Sequence, residues 1–303
     1  MADAVERPSP EAPTLSAPSD VVGRITAFVD RVVADADADG VVVCLSGGID
    51  STVSATLAVE ALGGDGVTGL LLPADATDGR DERDARAVAD ALGIDHCTLP
   101  VQPHLDGLLS SIVGEQLELS IDVSPQITST ATPSQTFPSA RSAHRRAIGN
   151  AAARLRMTTA YFVANVTDRL VLGTGNRTER LLGYSTKYGD GGVDLLPIGD
   201  RYKTEVRQLA RSLDVPDRIV EKPPTAGLWA DQTDEDELGA SYELIDAILR
   251  TLVDDGASVA ETARQLDVEH DLVAQFDRRY RDSAHKRRPA PTPSRYGERS
   301  DDA

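Results

Sequence analysis

Val41-Val42-Val43-Cys44-Leu45 is an unbroken apolar run that passes without a spacer into Ser46-Gly47-Gly48-Ile49-Asp50-Ser51 and then into a helical stretch over 51–62. A strand apolar at every position is buried on both faces, as the strands of a parallel sheet are. Strand, glycine turn and helix in succession open a parallel crossover, and the chain repeats the pattern. Residues 67–72 read as a second strand, 81–92 as a second crossover helix, 96–99 as a weak third strand and 170–172 as a further strand. This alternation predicts an α/β fold: a doubly wound parallel sheet with flanking helices.

Outside that frame, Val21, Val22, Ile25, Phe28, Val29, Val32 and Val33 recur at helical spacing, with Asp20 as the expected N-cap. Residues 1–18 are rich in Pro, Ala and Ser and are expected to be disordered. The stretch 119–141 is Ser/Thr/Pro-rich and reads as a mobile loop or insertion. A long helix is expected over 142–164, a Gly- and Asp-rich loop over 184–200, and a helical C-terminal part from 202 onward. Prolines keep the last residues from forming a long helix. One folded domain, 19–288, is thus expected between an N-terminal tail and a C-terminal tail, 289–303.

Bulk charge narrows the function. The 303 residues carry 49 Asp+Glu against 31 Lys+Arg, a formal net charge of -18. Such a surface repels phosphodiester backbones, so no nucleic-acid partner is expected. It also repels itself, and salt screens that repulsion; the balance resembles cytoplasmic proteins of extreme halophiles. No apolar run is long enough to cross a membrane, and the N-terminus has no secretory apolar segment. Cys44 and Cys97 make no disulfide framework, which fits a cytoplasmic location.

The turn at 46–51 carries the chemistry. Backbone N–H groups of a glycine-rich turn converge on an anion, and the following helix adds its partly positive end. Gly47 and Gly48 let phosphate oxygens approach the backbone, and Ser46 and Ser51 offer hydroxyl donors. Asp50 would repel a phosphate directly, so its natural part is to hold Mg²⁺, which takes carboxylate and phosphate oxygens together. The spacing is neither a Walker A loop nor a dinucleotide fingerprint.

Ser-Gly-Gly-x-Asp-Ser in this place resembles the pyrophosphate loop of the N-type ATP pyrophosphatases, whose fold is adenine nucleotide alpha hydrolase-like. Later segments narrow the resemblance. They are Leu172-Gly173-Thr174-Gly175-Asn176-Arg177-Thr178-Glu179, Thr186-Lys187-Tyr188-Gly189-Asp190-Gly191-Gly192-Val193-Asp194, Tyr202-Lys203-Thr204-Glu205, Lys222-Pro223-Pro224-Thr225, Asp234-Glu235-Asp236-Glu237-Leu238-Gly239 and His285-Lys286-Arg287-Arg288. The ordered series, over about residues 20–290, is similar to the small, ammonia-dependent NAD synthetases. It departs from them at Cys44, where many have glycine, in the expanded 119–141 stretch, and in Gly-Thr-Gly-Asn for a common Gly-Thr-Asp-His.

The resemblance implies ATP-dependent amidation of deamido-NAD through an NAD-adenylate, with ammonia as nitrogen donor and Mg²⁺ as cofactor. It implies that Cys44, Leu45, Ser46, Gly47, Gly48, Ile49, Asp50, Ser51, Thr174, Lys203 and Thr225 bind ATP. Asp50 and Glu179 would hold the metal, and Arg154, Lys187, Asp194, His285 and Lys286 would bind deamido-NAD. Arg80 is a further candidate for the adenylate. No covalent nucleophile is implied: Asp50, Lys187 and Lys203 would stabilise the transition state. A homodimer is implied as well. Barely 20 residues precede the first helix, too few for an amidase domain, hence the expectation of free ammonia. The lysines support this on their own account. Only four occur, at 187, 203, 222 and 286, yet they fall in these segments, and a compact ammonium suits a polyphosphate. The alternatives are another N-type ATP pyrophosphatase, such as a tRNA-modifying enzyme, or a non-catalytic nucleotide-binding regulator. Asp35 to Gly40 imitates half of an EF-hand but lacks the closing glutamate. Asp231 to Glu237 reads as a solvated helix start.

Overall fold

The computed structural model describes residues 12–15, 17–73, 79–114, 138–224 and 234–293. Among them, β1 (Val41–Cys44), β2 (Val67–Leu71), β3 (Asp95–Thr98) and β4 (Leu170–Leu172) form one all-parallel sheet in the order β3-β2-β1-β4. β1, β2 and β4 lie where the apolar runs place them, and the weak third strand falls at 95–98, one residue earlier than expected. The apolar side chains of β1 divide by the period of two: Val41 and Val43 enter one core, Val42 the other. On the first face pack α1 (Pro18–Asp35), α2 (Ile49–Leu62), α3 (Arg80–Leu92) and α7 (Lys203–Ser212), through Val29, Leu57, Ala89 and Leu209. On the second face, Ala160 and Ala164 of α5 (Pro138–Val166) close on Val42, Leu70 and Val171.

The helical C-terminal part has a core of its own. It is built by α9 (Asp234–Leu238), α10 (Tyr242–Leu249), α11 (Val259–Leu266) and α12 (His270–Asp282) around Tyr242, Ile245, Ile248 and Phe276. The short α6 (Arg177–Leu182) supplies Leu181 and Leu182 to that core, so it joins the two halves. A four-residue α8 (Asp217–Val220) follows α7.

Several bounds differ from the sequence reading, each for a local reason. α1 starts at Pro18, with its locked φ at the first helical position, and Asp20 lies in the first turn rather than at the cap. α5 starts at Pro138 for the same reason, so 138–141 is helix and not loop. The rest of the expected insertion, 119–137, lies outside the described residues. Helix α4 (Gln102–Gly114) was not anticipated: Gly107 interrupts a short pattern whose buried anchor is Leu105. Residues 12–15, expected in the disordered tail, are docked. Pro13 is buried, Leu15 N–H donates to Gln208 Oε1 at 2.8 Å, and Gln208 Nε2 donates to Pro13 O at 3.0 Å.

Candidate active site

β1 is flanked by β2 on one side and β4 on the other, so the chain reverses its direction of travel across the sheet at β1. A crevice opens outside the carboxyl ends of strands at such a reversal. The turn 45–48 after β1 and the turn 173–176 after β4 border it.

The first turn is held from within. Leu45 N–H donates to Leu70 O at 2.8 Å, prolonging the sheet by one residue. Gly47 has φ +74°, and a Cβ there would stand 2.3 Å from the Asp81 carbonyl oxygen. The serine hydroxyls lie 3.1 Å apart; Ser51 donates to Gly48 O at 3.0 Å and Ser46 accepts from Gly48 N–H at 3.3 Å. Leu45 and Ile49 are core residues, so what they offer the crevice is backbone. Cys44 is half-buried, and desolvation pushes its thiol up to about 11, against the opposing pull of Arg156. The first N–H groups of α2 have no acceptor within the helix, which is what an anion site requires.

Asp50 stands in the first turn of α2. Its Oδ1 accepts from the Asn176 side-chain amide at 3.1 Å, and its Oδ2 is in contact with the Lys203 ammonium. Asn176 is also the N-cap of α6: its Oδ1 accepts from Glu179 N–H at 3.0 Å, while Glu179 Oε2 accepts from Asn176 N–H at 3.3 Å. This reciprocal cap turns Glu179 back toward the start of α2. Burial raises the Glu179 carboxyl well above the usual range, and the Asp50 charge raises it further. Lys203, 2% exposed, opens α7. Burial pulls its pKa down, but Asp50 and Glu179 outweigh that and hold the ammonium charged.

These donors suit a hard cation. Asp50 and Glu179 offer carboxylate oxygens beside a phosphate-type loop, and no group of three or more His, Cys, Asp or Glu able to hold a metal alone occurs among the described residues. One or two carboxylates completed by phosphate oxygens is how Mg²⁺ is commonly bound with nucleotides.

A second group gathers between the middle of α5 and the residues that follow α12. Arg154 donates to Lys187 O at 3.2 Å, the Lys187 ammonium donates to His285 O at 2.5 Å, and Lys286 donates to Gly183 O and Ser185 O, each at 2.7 Å. Asp194 uses its carboxylate otherwise: Oδ2 accepts from Val171 N–H at 2.7 Å and Oδ1 from the Tyr161 hydroxyl at 2.9 Å. Lys222 backs the phosphate-type loop, 2.6 Å from Asp81, 3.1 Å from Asp84 and 3.3 Å from Gly47 O. Thr174 lies half-buried in the turn after β4, and Arg80 opens α3. Thr225 lies outside the described residues.

Four residues of this neighbourhood had no assigned part in the sequence reading. Asn176 bridges Asp50 and α6. Arg156 donates from Nε to Leu72 O at 3.0 Å at the carboxyl edge of β2. Asp234 is the largest departure, because a solvated helix start was expected there. It is 3% exposed and accepts from the Tyr242 hydroxyl at 2.9 Å and the Tyr184 hydroxyl at 3.1 Å; the Lys203 ammonium lies 5.4 Å from the Tyr242 ring centroid. Asp246, fully buried, had one available signal: it falls on the apolar stripe of α10, with Tyr242, Ile245 and Leu249.

Comparison with known proteins gives the family of the chain. The sequence model of the NAD synthase family matches residues 21–290. An NH(3)-dependent NAD(+) synthetase of Methanosarcina acetivorans is 42% identical over 90% of this chain and 97% of its own length. One of Halobacterium salinarum is 43% identical over 89% of this chain and 91% of its own. Among solved structures, an NMN synthetase from Francisella tularensis superposes with a TM-score of 0.73 at 34% identity, covering 92% of this chain and 99% of that one. An NH3-dependent NAD synthetase from Campylobacter jejuni gives 0.70 at 26%, covering 92% and 100%. The chain belongs to the NAD synthase family.

Proposed function

We propose that the protein is an ammonia-dependent NAD synthetase, a ligase that consumes ATP to convert deamido-NAD to NAD. The observation that carries this reading is the meeting of Asp50, Glu179 and Lys203, from three separate elements, at the mouth of the Ser46–Ser51 turn. A pure nucleotide-binding module has no use for a second, half-buried carboxylate and a buried lysine beside its phosphate loop.

The nicotinate carboxylate attacks the α-phosphorus of ATP; the bond to the bridging oxygen breaks and pyrophosphate leaves. Ammonia then attacks the activated carbonyl carbon, AMP departs with the former carboxylate oxygen, and NAD is formed. The chain's part is positioning and charge neutralisation. The amides of 46–51 receive phosphate oxygens, and Lys203 neutralises charge on them. Asp50 and Glu179 would hold Mg²⁺, which when bound neutralises phosphate charge and orients the polyphosphate. Thr174 and Thr225 complete the ATP site. Arg154, Lys187 and Lys286 supply the positive charge for deamido-NAD, and His285 lies beside them. Asp194, through Tyr161 and Val171, orients the loop that carries Lys187.

The active form we propose is a homodimer, supported by Phe162 and Val166, which stand one turn apart on α5 at 69% and 70% exposure. No helix among the described residues is long and apolar enough to cross a membrane, and we place the enzyme in the cytoplasm.

The test is a product assay in high KCl with ATP and Mg²⁺, offering ammonium or glutamine, and deamido-NAD or the corresponding nicotinate mononucleotide. NAD and AMP from ammonium and deamido-NAD are expected. Product from the mononucleotide alone would favour the second reading, an NMN synthetase, which the Francisella structure's likeness keeps in view. No amide product from either acceptor, with folded protein, overturns both.

A further inference from the structure

We infer that Asp246 is a positioning residue of the ATP and metal site, joining the first turns of α6 and α7 so that Glu179 and Lys203 meet Asp50. The inference rests on the assignment of those three residues to ATP and its metal.

Asp246 sits on α10, in the C-terminal core, and is 0% exposed. Among the described residues it faces no cation at ion-pair distance. Its oxygens are instead taken by three donors from two other helices. The Thr178 hydroxyl donates to Oδ1 at 2.5 Å; Thr204 donates to Oδ2 through both its N–H and its hydroxyl, each at 2.9 Å. Thr178 completes a relay, since its oxygen accepts from Lys203 N–H at 2.9 Å. The first two N–H groups of α7, which have no acceptor within their own helix, are thus both capped from outside it.

The neighbours in sequence give the arrangement its meaning. Thr178 immediately precedes Glu179, and Thr204 immediately follows Lys203. One buried carboxylate therefore sets the relative place of the two backbones that carry a metal ligand and a phosphate cation. A carboxylate without an ion-pair partner is costly to bury, and burial raises the Asp246 carboxyl to about 6 despite its three hydrogen bonds and the pull of the Lys203 charge. A leucine would fill the α10 stripe at less cost. What a leucine cannot do is accept three hydrogen bonds from two helix starts, and a carboxylate is further favoured there by both helix dipoles. Asp246 has no exposed atom with which to touch substrate, so its effect reaches the chemistry through Glu179 and Lys203.

The test uses the full-length protein and the variants Asp246→Asn, Thr178→Val and Thr204→Val. Titration calorimetry with α,β-methylene-ATP and Mn²⁺ gives nucleotide affinity per folded molecule, melting gives stability, and turnover gives kcat and KM. Each variant is expected to weaken analogue binding by about tenfold and to lower kcat, with the KM for deamido-NAD changed less than about twofold. The Asp246→Asn/Thr178→Val double variant should fall short of the sum of the singles, because both cut one relay. Variants that melt lower yet bind the analogue like the wild type would reduce Asp246 to a core residue and overturn the inference. If Asp246→Asn does not fold, the two threonine variants decide by the same criterion. A wild type that makes no NAD, with weakened binding in the variants, would sink the proposed reaction and leave the positioning role standing. A wild type that makes NAD, with variants that bind normally, would do the reverse.

Discussion

The Lys203 ammonium and the Asp50 carboxylate are in contact across 153 residues of sequence, and the lysine is almost wholly shielded from solvent. The Asp50 charge is the largest of those that keep the buried Lys203 ammonium protonated. Replacing Lys203 by Met leaves Asp50 and Glu179 as neighbouring half-buried carboxylates with their cation gone. We expect a loss of about 3–5 kcal/mol in unfolding free energy, read by denaturant titration, together with loss of turnover. Asp50→Asn removes one charge and keeps the shape; turnover should fall by about a hundredfold or more while the cost in stability stays smaller. Equal turnover in Asp50→Asn and wild type would exclude a metal-binding role.

Gly47 tests the phosphate turn separately. Its positive φ and the nearby Asp81 carbonyl leave no room for a methyl group. Gly47→Ala should cost about 1–3 kcal/mol and weaken ATP binding, because α3 and the turn must move apart. Calorimetric titration with an ATP analogue reads this; unchanged affinity would mean the turn does not carry the phosphates.

The cysteines should differ sharply in reactivity. Cys97 is exposed, whereas Cys44 is half-buried at the end of β1 with its thiol raised to about 11 by desolvation. In the native protein at pH 8, iodoacetamide is expected to modify Cys97 alone, and both after unfolding, as counted by mass spectrometry. The sign for stability follows. The unfolded thiol ionises near 9 and the folded one near 11, so this group favours the unfolded chain increasingly as pH rises through that window. Rapid labelling of Cys44 at pH 8 would contradict its burial.

Salt dependence follows from the net charge of -18. Raising KCl from about 0.1 to 1 M shortens the screening length from about 10 to about 3 Å. The melting temperature should rise over that range; a flat or falling curve would show that surface repulsion is not what limits stability.

Local order was legible in the chain because it depends on near neighbours. The apolar run at 41–45, the glycine turn and the short strand at 170–172 lie where the sequence places them, since burial of both strand faces and a left-handed glycine are properties of a few consecutive residues. The residues we propose for the ATP site were singled out by their motifs, and Thr225 lies outside the described residues. What the chain alone left open is how its charges are solvated. Asp234, in a run of four acidic residues, looks like solvated surface until Tyr184 and Tyr242 close over it. Asp246 looks like a lapse in an apolar helix until Thr178 and Thr204 arrive from elsewhere to meet it. Asp194 reads as a loop carboxylate, yet it holds Val171 and Tyr161. A side chain's conformational preference is set by its own backbone, but the cost of burying its charge depends on which donors distant elements bring to it, and only the tertiary structure decides that.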